Sequence, residues 1–390
     1  MVATNVVDAL RQSACGQRLL AVAAGTDGVW LVGGAVRDIM LGNAPRELDV
    51  ALEADVGPFA AALGGEVTAH ERFGTATVVD GGCRFDLART RTETYAVPGA
   101  LPEVTPASID ADLLRRDVTI HALAVALPGG ELAAVPHALE DLDAGVLRVL
   151  HDASFSDDPT RVWRVGRYAA RLGFAVEPHT RALAAAARPG AVSGERLGNE
   201  LRLALAEDDP FAVFEQVSGL NPGALPEGFT ARPSGAAQAL ALLPDDGRRD
   251  LTTLAACTAG MELGLLVRWL DHLGFTAAER DLVSAASRWV TGAPLRAAAT
   301  PAQIARAARG APVEAVALAG GGNAQRWIEE LRHVRLEITG DDLLAAGVPE
   351  GPQVGRRLRA ALDRKLDGEI AGREAELAAA LAADVGDSAA

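Results

Sequence analysis

Two acidic residues one position apart are the first feature of this sequence that could do chemistry. Glu47 and Asp49 lie in the run Arg46-Glu47-Leu48-Asp49-Val50, where charged and apolar side chains alternate. Because side chains alternate across a strand, this run predicts two carboxylates on one face, with Leu48 and Val50 buried. Carboxylate oxygens are the hard ligands that Mg²⁺ prefers. The pair therefore predicts a Mg²⁺ site suited to phosphoryl transfer, although a solvated polar face is the simpler alternative.

A pair of glycines precedes these acids. Gly33 and Gly34 follow the predicted strand 29–32 and open a predicted helix that carries Arg37. Paired glycines at a helix start allow the backbone to approach a ligand closely and to present N–H groups to a triphosphate. Such a turn is ordinary by itself, but beside two carboxylates it predicts a nucleotide-binding site.

A second group of polar residues opens a helix that we predict over 159–172. Asp157 can cap this helix, Pro159 fits its first turn and Gly173 can close it. Its arginines share one broad face opposite an apolar one. They are Arg161, Arg164, Arg167 and Arg171.

An aspartate and an arginine at the start of this helix could select a base without a template. Cytosine presents its N4 donor beside the N3 acceptor, and adenine presents its N6 donor beside the N1 acceptor. One carboxylate that accepts and one guanidinium that donates therefore satisfy either base. Uracil and guanine present the reverse order and would leave both side chains unpaired. Asp158 and Arg161 are the candidates for this pair.

These motifs together resemble the head and neck of class II tRNA nucleotidyltransferases and bacterial poly(A) polymerases, members of the polymerase β superfamily. The family sequence runs Gly-Gly-x-Val-Arg-Asp, then Leu-Gly, then Asp-x-Asp, and here Leu41-Gly42 precedes the acids but Glu47 replaces the first Asp. The resemblance implies Glu47 and Asp49 as catalytic metal ligands, and Asp86 is a candidate third acid.

A further motif of this family, Arg-Arg-Asp-Phe-Thr-Ile-Asn, is similar to residues 115–121, with Val118 for Phe and His121 for Asn. The resemblance implies that Arg116 and Asp117 hold the sugar and phosphates of the incoming nucleotide, with His121 on the ribose side. The family motif Glu-Asp-x-x-Arg is matched by Asp157, Asp158 and Arg161. The remaining nucleotide-binding candidates are Gly33, Gly34, Arg37, Arg164 and Arg167.

The resemblance implies a template-independent enzyme that adds C, A or both from CTP and ATP to the 3′ end of tRNA. Partial CC-only or A-only addition is the first alternative, since the loop Pro98–Pro102 resembles a subgroup that includes partial adders. Poly(A) polymerisation comes next. A weakened or non-catalytic RNA-binding paralogue is the last, because Glu47, Val118 and His121 depart from the family pattern.

The expected fold class is α+β. Strands are predicted at 29–32, 48–52, 76–79, 85–88, 120–127 and 146–150, with helices at 2–24 and 55–63, and the chain is almost wholly helical after 151. The predicted domains are a nucleotidyltransferase head (1–150), a neck for base recognition (151–210), a helical body (211–320) and a helical, tRNA-binding tail (321–390).

Composition bounds the remaining expectations. The net charge of −15 opposes non-specific binding to nucleic acid, but nearly every cation is an arginine, and clustered arginines suit a local basic groove. No stretch approaches the ~20 apolar residues of a membrane span. The three cysteines are far apart and fit a reducing cytoplasm. We therefore expect a cytoplasmic monomer or homodimer without a membrane partner.

Overall fold

The computed structural model describes residues 6–70, 74–188, 190–290 and 292–383. The chain divides into two compact units, Met1–Pro226 and Glu227–Ala390. Their boundary falls within the Pro/Gly-rich stretch 221–235.

The first unit is built on a seven-stranded mixed sheet in the order β3-β4-β5-β2-β1-β8-β9. Its strands are β1 (Val29–Val32), β2 (Leu48–Leu52), β3 (Glu66–His70), β4 (Thr75–Asp80), β5 (Cys83–Arg89), β8 (Leu123–Ala126) and β9 (Leu132–Ala134). Two small sheets pair β6 (Arg91–Thr94) with β7 (Glu103–Pro106), and β10 (Val146–Leu147) with β11 (Ala175–Val176). The predicted α+β class is confirmed.

One parallel pair at the centre of the sheet sets the positions of the acids. Strands β2 and β5 run parallel, with Leu48 opposite Phe85 and Asp49 opposite Asp86. Leu48 and Phe85 are buried in the core, so the aspartates of both strands project on the other face. This pairing brings together acids that are far apart in the chain.

The helices of the first unit pack on both faces of the sheet and continue beyond it. They are α1 (Val6–Arg11), α2 (Ala14–Ala23), α3 (Gly34–Met40), α4 (Val56–Leu63), α5 (Ile109–Leu114), α6 (Ala138–Ala144), α7 (Ser154–Asp157), α8 (Arg161–Leu172), α9 (Pro178–Ala186), α10 (Gly194–Leu205) and α11 (Pro210–Leu220). The predicted helix 2–24 is two helices, because the chain turns at Gln12 and Ser13, and its first residues lie outside the described ranges.

Two predicted strands are shorter than the sequence indicated. The segment predicted as a strand over 120–127 begins as a 3-10 turn, Thr119–His121, and becomes a strand only at Leu123. The strand predicted over 146–150 ends at Leu147. The two segments are joined by a tertiary hydrogen bond outside the strands, in which Thr119 N–H donates to the carbonyl of Arg148.

The start of α8 differs from the prediction. Asp157 ends α7 and does not cap α8, which begins at Arg161. Asp158 supplies the carboxylate before α8 instead, because its Oδ1 accepts a hydrogen bond from Thr160 N at 3.0 Å. Gly173 closes α8 in the left-handed conformation, as predicted.

The second unit is helical throughout its described residues. Its helices are α12 (Ala236–Leu242), α13 (Arg249–Cys257), α14 (Leu263–His272), α15 (Ala277–Ser287), α16 (Ala293–Ala297), α17 (Pro301–Ala307), α18 (Val313–Ala319), α19 (Gly321–Glu329), α20 (Gly340–Ala345), α21 (Pro352–Leu366) and α22 (Arg373–Ala382). Across the described residues, every helix is too short or too polar to cross a membrane.

Two of the three cysteines form a disulfide, so the expectation of reduced cysteines that was drawn from their spacing is wrong. Cys15 on α2 is bonded to Cys83 at the start of β5, and Cys257 is free and buried. The fold packs α2 beside the β4–β5 hairpin, where Arg18 Nη1 also contacts Asp80 Oδ2 at 2.6 Å. Sequence separation carries no information about this proximity.

Candidate active site

A cavity of about 980 Å³ in the first unit gathers nearly all the candidate residues. Those that line it are Gly33, Gly34, Arg37, Glu47, Asp49, Asp86, Arg116, Asp117, His121, Asp158, Arg161, Arg164 and Arg167. Asp157 is absent from the lining, because it ends α7 while the backbone turns Asp158 toward the cavity. The sheet supplies the acidic side of this cavity, and α8 supplies much of its basic side.

Three carboxylates on the sheet form a compact group. Ligand oxygens of Glu47, Asp49 and Asp86 all lie within 4.8 Å of one another. Burial raises the pKa of Asp49 to about 7, and the negative charges of Glu47 and Asp86 add to this increase. Burial and Asp86 also raise the pKa of Glu47. Such mutual repulsion, in a set of hard oxygen donors, is relieved by a divalent cation.

The raised pKa of Asp49 predicts that its carboxylate lowers the free energy of unfolding at high pH. We expect Asp49→Asn to stabilise the metal-free protein above pH 7, by about 4 kcal/mol at most. A carboxyl with pKa 3.8 in the unfolded chain and about 7 in the folded protein stabilises the fold fully below pH 3.8. That contribution is lost as the pH rises through 7, whereas asparagine does not titrate. Urea unfolding in EDTA from pH 5 to pH 9 measures the free energy of unfolding of the native protein and of Asp49→Asn. If the two free energies changed with pH in the same way, the prediction would be contradicted.

The paired glycines leave room for groups beside the acids. Gly33 has a φ of 65°, a conformation that glycine adopts at little cost. A Cβ at Gly33 would lie 2.9 Å from Arg116 Nη1, and one at Gly34 would lie 3.8 Å from Asp49 Oδ2. A side chain at Gly33 would therefore crowd the site, whereas a Cβ at Gly34 would make ordinary van der Waals contact.

Asp117 is the centre of a buried polar network. Its Oδ2 accepts from Arg164 Nε at 2.8 Å and from the Tyr168 hydroxyl at 3.1 Å, while Oδ1 accepts from Val118 N and contacts His121 Nδ1. Burial alone would raise the pKa of Asp117, but Arg164 and His121 outweigh it and hold the pKa well below its usual range. Asp117 is therefore a fixed charge that orients its neighbours.

His121 connects this network to the glycine turn. Burial lowers the pKa of His121, with Asp117 opposing and Arg37 adding to the decrease. A neutral imidazole that donates from Nδ1 to Asp117 can accept from Arg37 at Nε2, and Arg37 Nη1 contacts that nitrogen. His121 therefore links Asp117 to Arg37, two of the predicted nucleotide-binding residues.

Asp158 and Arg161 are held at the start of α8 by separate partners. Asp158 Oδ1 accepts from Thr160 and from Arg196 Nη2, the latter at 2.9 Å. Arg161 is buried, and its Nη1 and Nη2 donate to Ser154 Oγ and to the carbonyl of Arg115. Both side chains are thereby fixed where they line the cavity.

Some lining residues were missed by the sequence reading. The chain has two tyrosines, Tyr95 and Tyr168, and both line the cavity. Glu200 also lines it, 3.8 Å from Arg164 and 3.7 Å from Arg167. The rarity of tyrosine was the available signal, since large aromatic rings are costly to place away from a core or a ligand.

Known proteins resemble this chain in sequence and in fold. The family described as poly A polymerase head domain matches residues 29–148. The A-adding tRNA nucleotidyltransferase of Geobacter sulfurreducens is 32% identical over 393 residues, covering 90% of this chain and 44% of that protein. The CC-adding tRNA nucleotidyltransferase of Deinococcus radiodurans is 38% identical over 207 residues, covering 51% and 55%.

A solved structure of a CCA-adding enzyme, apo form II, superposes with a TM-score of 0.79 at 26% identity. The match covers 97% of this chain and 95% of that one. The chain spans about half the length of the curated relatives that it matches.

Proposed function

Because this chain belongs to the family of class II tRNA nucleotidyltransferases and bacterial poly(A) polymerases, we propose that it adds C, A or both from CTP and ATP to the 3′ end of tRNA. The observation that carries this proposal is a single cavity that joins three carboxylates to Asp158 and Arg161. The first group suits phosphoryl transfer, and the second suits a choice between bases.

Glu47, Asp49 and Asp86 would hold the divalent metal, for which we infer Mg²⁺. Their fit rests on three carboxylates with oxygens within 4.8 Å, a donor set typical of hard cations. When bound, Mg²⁺ activates the attacking 3′-hydroxyl and neutralises charge on the leaving pyrophosphate.

The other residues of the cavity orient the nucleotide. Arg37 and Arg116 place positive charge beside the glycine turn and suit the triphosphate, and the Asp117–His121 pair suits the ribose hydroxyls. Asp158 accepts from the exocyclic amino group of C or A, and Arg161 donates to the adjacent ring nitrogen. Because these side chains are fixed before binding, little entropy is lost when the base is aligned.

Partial addition is the second candidate. The A-adding relative aligns with 90% of this chain and the CC-adding relative with 51%. A second A-adding relative aligns with only 50% of this chain, so the difference in coverage does not rank A-only above CC-only addition.

Incorporation assays distinguish these activities. Purified protein with Mg²⁺ receives CTP or ATP singly, with tRNA that lacks CCA, tRNA that ends in CC, or complete tRNA. CTP on tRNA that lacks CCA, together with ATP on tRNA that ends in CC, indicates CCA addition. CTP on tRNA that lacks CCA, without ATP on the CC end, indicates CC-only addition, and ATP on the CC end alone indicates A-only addition. Repeated ATP addition to complete tRNA indicates poly(A) polymerisation. No incorporation from any primer by folded protein refutes the enzymatic proposal.

We infer the division into head (1–150), neck (151–210), body (211–320) and tail (321–390), with the tail binding tRNA. We also infer a cytoplasmic location, where tRNA substrates occur, and a monomer or homodimer as the assembly. Limited proteolysis and light scattering test the boundaries and the assembly.

A further inference from the structure

One arginine lies against the carboxylate group and is not explained by nucleotide binding. Arg84 is on β5, two residues before Asp86 and therefore on the same face of the strand. Its Nε lies 2.9 Å from Asp86 Oδ2 and 3.5 Å from Glu47 Oε2, and its Nη2 lies 3.3 Å from Asp86 Oδ1. A single guanidinium thus bridges two of the three carboxylates.

The strand register explains why a cation is needed there. Asp49 and Asp86 stand directly opposite each other on parallel neighbouring strands, and like charges in such pairs destabilise a sheet. If the register of β2 and β5 is continued by one residue before Leu48 and Phe85, Glu47 lies opposite Arg84. The arginine is therefore built into the sheet at the position that offsets this repulsion.

Arg84 and Thr77 together occupy both oxygens of Asp86. Thr77 Oγ1 donates to Oδ1 at 2.6 Å, while Arg84 contacts Oδ1 and Oδ2. A metal ion that coordinates Asp86 and Glu47 must compete with the guanidinium for the same lone pairs.

A direct role in binding phosphate is disfavoured by position. Arg84 is absent from the lining of the cavity, whereas Arg37, Arg116 and Arg164 line it. The side chain of Arg84 is 56% exposed, so it can leave the carboxylates for solvent at little cost.

We propose that Arg84 is the resident counter-ion of the carboxylate group, exchanged for the divalent metal when the site loads, and that it sets the metal concentration at which loading occurs. This inference rests on the metal site of the proposed function. Arg84 is a positioning residue, because it acts through Glu47 and Asp86 and not on the substrate.

Manganese binding measured by electron paramagnetic resonance, without nucleotide or tRNA, tests the exchange. We expect Arg84→Gln to bind Mn²⁺ roughly threefold to tenfold more tightly than the native protein, because one competing charge is removed. Arg84→Lys keeps the charge and is expected to restore native affinity. Arg11→Gln is the matched control: it removes an exposed arginine paired with Asp8 on α1 and is expected to leave the affinity unchanged.

Thermal unfolding gives an independent readout. In EDTA, Arg84→Gln is expected to melt below the native protein, since the repulsion is no longer offset, and saturating Mn²⁺ is expected to close the gap. Far-UV circular dichroism checks that the variant is folded.

The outcomes separate this inference from the proposed function. One outcome overturns only the role of Arg84. In that outcome the native protein binds Mn²⁺ and Asp49→Asn does not, but Arg84→Gln binds Mn²⁺ with unchanged or weaker affinity. If the native protein binds no Mn²⁺, or Asp49→Asn binds it equally well, the metal site itself is wrong and the inference fails with it.

Discussion

Asp49→Ala is expected to lower the rate of nucleotide transfer about 10³-fold or more, because a lost metal ligand removes several kcal/mol of transition-state stabilisation. Asp49 is the best-placed acid for this role. It lies between Glu47 and Asp86 and beside Gly34, and burial with these neighbours raises its pKa to about 7. A group held at such a cost in the metal-free protein is explained most simply by the cation that relieves it.

Single-turnover incorporation of ATP and CTP into truncated tRNA measures this loss. Filter binding measures tRNA affinity, which we expect to stay nearly unchanged. Asp8→Ala removes an exposed carboxylate from the same unit and is expected to retain the native rate. Native transfer by Asp49→Ala would exclude this residue from the chemistry.

Asp158→Asn is expected to reduce the preference for C and A over U and G at least about 10²-fold in kcat/KM. The change is isosteric. The oxygen that accepts from Thr160 and Arg196 is retained as an amide oxygen, and the free carboxylate oxygen becomes an N–H donor. That donor opposes the amino group of C or A and suits the carbonyl of U or G.

Competition between all four nucleotides, followed by sequencing of the extended tRNA, measures the preference. Asp157→Asn is the informative comparison, since it makes the same change one residue earlier, at a side chain outside the cavity lining. We expect it to keep native selectivity. Equal relaxation by the two variants would mean that Asp158 does not read the base directly.

The local parts of the site could be predicted because they depend on residues a few positions apart. Alternation in 46–50 predicted which side chains share a face, and strands β1 and β2 have the predicted bounds. Gly173 ends α8 because the last turn closes with a residue in the left-handed conformation, which glycine adopts easily. The chemical character of the site follows from these patterns, as does the resemblance that predicted the family.

The predicted secondary structure was wrong at two candidate site residues. Asp157 and His121 were placed by helix and strand patterns, yet α7 ends at Asp157 and His121 lies in a 3-10 turn. Beside His121, a tertiary hydrogen bond from Thr119 N to the carbonyl of Arg148 outweighs strand propensity. At Asp157 the cause is local, because Asp158 precedes a proline and takes the extended conformation, with φ −137° and ψ 93°.

The sequence by itself determined the set of reactive groups, their order and the family that their motifs resemble. The tertiary structure alone decided that β5 lies parallel to β2. This pairing places Asp86 opposite Asp49 and brings Arg84 against Glu47, and the packing of α2 beside the start of β5 joins Cys15 to Cys83. The pKa of Asp49 is likewise a tertiary property, since burial and neighbouring charges set it. The physical reason is that side-chain periodicity is local, whereas the choice of strand neighbours and the burial of charge depend on how the whole unit packs.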